Sequence, residues 1–222
     1  MTPPPDSHYW LGGSPCAGKS SVAELLAVRH GLTHFKCDDH FDRHLAEGTA
    51  RGFLWSTRVR SADAEAVFLR SPEENLRLAW ELYREHAGLI CEETGSLPGP
   101  LLVEGAQLQP AELIAHGVRP DQVFYLIPTE EFQRKHYAQR TWAPERVAGT
   151  SNPVLALENW MQRDAAYARR IAEEAARFGC PFLWIDGRLG LEAVAARVAR
   201  HWNLPAPAQE GKAPGKGPSA PT

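Results

Sequence analysis

The 222-residue sequence has no apolar run approaching the ~20 residues that a membrane-spanning helix needs. It also lacks a basic surplus. With 24 Lys and Arg against 27 Asp and Glu, the formal charge is −3, which argues against the large cationic footprint of a nucleic-acid binder. Cysteine is scarce. Cys16, Cys37, Cys91 and Cys180 lie far apart with no CxxC pair, so they read as reduced thiols rather than a disulfide frame or a zinc site. The opening MTPPPDSHYW has no basic stretch leading into an apolar one, so no secretory signal is read and a cytoplasmic location is expected. No internal repeat is visible, and there is no N-K-x-D tetrapeptide of the kind that reads guanine.

What is present suits one α/β domain. A chain of this length with 43% hydrophobic residues can bury one sizeable core. Residues 1–7 are rich in proline and are expected to be loose. Residues 205–222 hold almost no bulky apolar side chain, cannot offset their ordering entropy, and are expected to be disordered. The domain therefore spans 8–204. Within it, short apolar runs alternate with helical patterns. Strands are expected at Tyr9–Leu11, Thr33–Cys37, Leu101–Val103, Val123–Ile127 and Pro181–Ile185. Helices are expected at Ser20–His30, from Pro72 to about Glu93 behind a Ser71/Glu74 capping box, and at Thr129–Arg140, Leu155–Phe178 and Leu191–Trp202. Such alternation predicts a three-layer α/β/α fold with a five-stranded parallel sheet covered on both faces.

The most specific feature is Gly13-Ser14-Pro15-Cys16-Ala17-Gly18-Lys19-Ser20, followed by Ser21, which matches G-x-x-x-x-G-K-[ST] between a strand and an amphipathic helix. Glycines let the backbone wrap so that several N–H groups point inward at phosphate oxygens, and the helix adds its positive end. Lys19 is placed to reach the β- and γ-phosphates and Ser20 to present its hydroxyl to Mg²⁺. Downstream, the second strand ends in Cys37-Asp38-Asp39 and the third in Glu104-Gly105. Acids at the carboxyl ends of parallel strands face a bound ligand, where Asp38 can take a proton from a hydroxyl and Asp39 or Glu104 can serve the metal. His40 and His44 are spaced i,i+4 but have no further ligand at a telling distance, so they read as a solvated helix face.

The glycine loop resembles that of the nucleoside/nucleotide-kinase-like P-loop family. Asp38, nineteen residues after Lys19, resembles the acid of its hydroxyl-directed branches: the shikimate- and gluconate-kinase-like, chloramphenicol-phosphotransferase-like and zeta-toxin-like kinases. The loop departs from many members in having Cys16 where they carry glycine. A thiol near a helix N-terminus tends toward a lowered pKa and oxidation, although a small space-filler is the simpler reading.

The resemblance implies a small-molecule kinase that uses ATP and Mg²⁺, acting as a monomer or homodimer, with Asp38 as base or substrate anchor. It also implies an acceptor-covering helical insertion over 41–97. A lid is implied over 129–150, where Arg134 and Arg140 would stabilise the transferring phosphoryl group, with Arg163 and Arg169 as weaker candidates. After the last strand, Gly187 would lie beside the adenine. Arg51, Arg58, Arg60 and Arg70 with Trp55 in the insertion suit an anionic or ring-bearing acceptor as well as a charged outer face. Two other readings remain: a nucleoside monophosphate kinase, and a P-loop ATPase or nucleotide-dependent switch.

Overall fold

The computed structural model describes residue 5 and residues 7–205. The expected disorder of the tail from 206 onward, and the looseness of 1–4 and 6, fall outside the described residues. Five strands, β1 (Tyr9–Gly13), β2 (Thr33–Lys36), β3 (Leu101–Glu104), β4 (Val123–Pro128) and β5 (Phe182–Ile185), form one parallel sheet in the order β2-β3-β1-β4-β5. The helices are α1 (Lys19–His30), α2 (Phe41–Ala50), α3 (Leu54–Arg60), α4 (Ala64–Phe68), α5 (Pro72–Ser96), α6 (Pro110–Ala115), α7 (Glu130–Tyr137), α8 (Trp142–Val147), α9 (Pro153–Arg177) and α10 (Leu191–His201).

Alternate strand residues feed two cores, as the period of two requires. Trp10, Leu101, Val103, Val123, Tyr125 and Ile127 join Trp80 and Ile90 of α5 and Tyr167 and Ile171 of α9 on one face. Leu11, Leu102, Phe124 and Leu126 join Val22 and Leu26 of α1 and Val194 and Val198 of α10 on the other. A sheet buried on both faces needs strands that are apolar throughout, which is why β3 and β4 are legible as unbroken runs. The capping box at Ser71 forms, with Glu74 N 3.2 Å from the Ser71 hydroxyl. The helix expected over Thr129–Arg140 is shorter than that: α7 stops at Tyr137, and a separate helix, α8, starts only beyond it at Trp142.

The His40/His44 pair also differs from its reading as a solvated face. His44 is buried, with Nε2 2.8 Å from Glu93 of α5, and His40 stacks on Phe35. Behind His44 lies His86, fully buried, packed edge-on to Phe41, its two ring nitrogens without a hydrogen-bond partner. Burial, with a smaller push from His44, lowers His86 to about 4. Its neutral form is the one the fold accepts, so its contribution is intact above the ordinary value near 6.5 and is lost as pH falls from there toward 4. We expect acid to cost up to about 3 kcal/mol through this residue. Urea unfolding of wild type and His86→Leu at several pH values checks this. The variant should lose less stability between neutral and mildly acidic pH, and parallel curves would sink the assignment.

Candidate functional site

Strand register brings the candidate residues to one edge. Leu11 of β1 and Lys36 of β2 both pair with Glu104, so the loop after Gly13 and the turn carrying Asp38 leave the sheet on either side of the β3 end. β1 lies between β3 and β4, and the crevice beyond the carboxyl ends of such central strands is where open parallel sheets place ligands. Gly13 is required by close approach as well as by conformation: it has φ 132°, and a Cβ there would lie 1.9 Å from the Leu126 carbonyl oxygen. Gly18 sits at φ 74° as the residue before α1, letting the loop turn directly into the helix.

A cavity of 320 Å³ opens at this edge, lined by Pro15, Cys16, Ala17, Gly18, Lys19, Ser20 and Ser21 together with Asp38, Tyr83, Glu104, Ala106 and Arg140. Lys19 is buried and its Nζ donates to the Ser14 carbonyl at 3.0 Å, which holds the ammonium at the loop. Burial pushes the Glu104 carboxyl up, but the neighbouring His34 and Ser20 side chains and the Lys19 charge outweigh it and hold it below the usual carboxylate range. His34 Nε2 lies 3.9 Å from the Glu104 carboxylate, beyond hydrogen-bond reach. Glu104 is therefore a buried, ionised oxygen donor in the same cavity as the Ser20 hydroxyl. Asp38 Oδ1 accepts from Gln107 Nε2 at 3.1 Å, which orients its carboxylate.

Other candidates lie elsewhere. The Asp39 side chain is 69% exposed, lies 4.0 Å from Lys36 and does not line the cavity. Arg134 is committed to carboxylates. It forks onto Glu158 at 2.9 and 3.0 Å and reaches Glu130 at 3.2 Å, while Glu158 is held down to about 2 by that contact. Arg169 leans on the same Glu130 at 3.5 Å. Of the two arginines expected to act on the phosphoryl group, only Arg140 lines the cavity; its guanidinium rests over the rings of Tyr137 and Trp142 at 5.3 and 5.2 Å. Gly187 follows β5 with φ 87°, against the Phe132 ring, and is not part of the cavity wall.

Cys16 is not the low-pKa thiol that a helix N-terminus alone suggests. It is buried against Tyr137 and Ala143, and burial pushes it up to about 11 against a weaker opposing pull from Arg140. It adopts φ 67°, a conformation in which glycine is at ease, and its side chain provides the apolar contact between the glycine loop and the α7–α8 segment. A polar link runs alongside. The Asp164 backbone oxygen accepts from the Ser14 hydroxyl at 3.1 Å, and its carboxylate accepts from Tyr137 and pairs with Arg163 at 2.6 Å. Sequence reasoning missed Gln107, Tyr83 and Asp164. Each becomes relevant only through a contact across the fold, and no spacing signals it.

No protein-family profile and no curated protein matches the sequence. Solved structures do. Shikimate kinase from Acinetobacter baumannii in complex with shikimate is 19% identical, with 90% of this chain and 92% of that one covered and a TM-score of 0.45. A candidate kinase from Chloroflexus aurantiacus is 15% identical, with 90% and 99% covered and a TM-score of 0.39. At this distance the likeness carries no conclusion about activity. Among the described residues, no helix is long and apolar enough to cross a membrane.

Proposed function

We propose that this chain is a hydroxyl-directed kinase that moves the γ-phosphoryl group of Mg·ATP to a hydroxyl of a small molecule. The observation that carries the reading is the meeting of Asp38 with Lys19, Ser20, Glu104 and Arg140 around one cavity. A phosphate cradle alone would serve a switch equally well. A carboxylate oriented by Gln107 beside that cradle is what an alcohol acceptor needs.

In this reading the loop N–H groups and Lys19 hold the phosphates. Asp38 receives the acceptor proton as the acceptor oxygen bonds to the γ-phosphorus and the bond to the β-phosphate oxygen breaks. Arg140 and Lys19 offset the charge on the moving group. Ser20 and Glu104 fit Mg²⁺, a hard cation that takes one or two protein oxygens and completes its shell with phosphates and water. Held by Ser20 and Glu104, the ion would supply positive charge against the charge developing on the phosphates. The α7–α8 segment, tied to the loop through Cys16 and Asp164, serves as the lid, and α2–α5 cover the acceptor.

The monophosphate-kinase alternative drew on the arginines of the insertion. Arg58 and Arg70 line a different cavity, which removes their support for it. The test is ADP release from Mg·ATP against sugars, hydroxylated metabolites, phenicol- and aminoglycoside-type antibiotics, nucleosides and nucleoside monophosphates. A large rise with one hydroxyl compound is expected. A rise only with monophosphates, or turnover indifferent to any acceptor, would overturn the reading.

A further inference from the structure

A second cavity lies outside the nucleotide crevice, between α3, α4 and the first turns of α5. Its volume is 510 Å³ and its wall includes Trp55, Arg58, Arg70, Glu74 and Arg77, none of which lines the crevice. Three arginines and one carboxylate thus line this cavity, in a chain whose formal charge is −3. That carboxylate is already engaged, since Glu74 closes the capping box by accepting from the Ser71 backbone and hydroxyl at 3.2 and 3.1 Å. Among the described residues, Arg58, Arg70 and Arg77 form no ion pair with any acid. Arg58 and Arg77 lie instead over the Trp55 ring, at 4.8 and 5.6 Å.

Arg70 is the decisive member. Its Nη1 is buried and has no hydrogen-bond acceptor, an arrangement that costs free energy unless something supplies one. Its backbone is fixed from two sides, because the carbonyl accepts from Asn75 at 3.3 Å and from Asn159 at 3.0 Å. The opposite wall is fixed as well. Glu85 of α5 accepts from the Trp55 and Ser56 backbone N–H groups and from the Ser56 hydroxyl at 2.8–2.9 Å, which pins the start of α3. A preorganised set of unpaired guanidinium forks suits a compact, multiply charged oxyanion.

We propose that this cavity binds the phosphoryl group of a phosphorylated small molecule, at a site separate from the nucleotide crevice. The test is calorimetric titration of inorganic phosphate into the full chain saturated with Mg²⁺ and a non-hydrolysable ATP analogue, so that the glycine loop is occupied. Binding should persist under saturation and weaken by about tenfold or more in Arg70→Met and in the exposed Arg77→Met. Circular dichroism should report both variants folded, and Arg77→Met keeps the test open if the more buried variant fails. Loss of the phosphate signal on saturation would assign it to the glycine loop and overturn the proposal. So would unchanged affinity in folded Arg77→Met and Arg70→Met. Citrate, titrated in parallel, separates the chemistries: citrate binding without phosphate binding would mark a carboxylate site and refute the phosphoryl assignment. Failure of the analogue to bind at all would count against the kinase reading and leave the phosphate titration of the unsaturated chain and its arginine variants to decide this one.

Discussion

Lys19→Ala is expected to lower acceptor-dependent phosphoryl transfer by about 10³-fold while the protein stays folded. The ammonium is buried, so its charge acts through a medium far less screening than water. Its one hydrogen bond is to the Ser14 carbonyl, part of the loop that would cradle the phosphates. Removing one preorganised charge from such a position typically costs 10² to 10³ in the chemical step, about 3–4 kcal/mol. The structural cost is much smaller. A lost hydrogen bond is worth about 1 kcal/mol, which for a domain of this size moves the melting temperature by about 2–4 °C. Single-turnover transfer and a thermal melt on the same preparation therefore separate the two effects. Near-normal transfer would remove the glycine loop from the chemistry. A melting temperature lowered by tens of degrees would make Lys19 a structural residue.

What could be read from the sequence follows from what needs no partner to be recognised. The glycine loop is legible because its backbone conformation restricts residue type locally, at Gly13 by a carbonyl 1.9 Å from any Cβ and at Gly18 by a positive φ. Strands β3 and β4 are legible because burial on both faces leaves no room for polar alternation. Asp38 and Glu104 stand out by ending strands. Charges were the hard part. Nothing near Arg134 in the sequence says that Glu158, a turn into another helix, will engage it, or that Arg140 will be left beside the loop. Cys16, for which the space-filling reading was the simpler one, shows the same competition between local and tertiary effects. The helix N-terminus is a local feature and lowers a thiol pKa, whereas burial by Tyr137 and Ala143 is a tertiary one and wins. The reading of His40 and His44 fails in the same way, since it takes Glu93 and His86 of α5 to turn His44 inward.

Asp38→Asn carries the second large effect: a fall of about 10² to 10⁴ in the chemical step with ATP affinity little changed. The substitution is close to isosteric. Oδ1 survives as an acceptor for Gln107 Nε2, so the side chain keeps its orientation and loses only its charge and its capacity to take a proton. Asp38 is also the exposed member of the pair of acids at the cavity, while Glu104 is buried beside Lys19 and Ser20. In the proposed reading metal duty therefore falls to the buried acid and proton duty to the one that an entering hydroxyl can reach. The corresponding Glu104→Gln change is expected to differ in weakening Mg²⁺-dependent nucleotide binding along with the rate. Equilibrium binding of the Mg·ATP analogue and rapid-quench transfer, measured on both variants, decide between the assignments. If Asp38→Asn loses nucleotide affinity and retains its rate at saturation, the roles are reversed and Asp38 is the metal ligand. If neither quantity moves, the acceptor must deliver its proton elsewhere, and a phosphate acceptor, which already carries charge and needs no base, becomes the better account of the cavity.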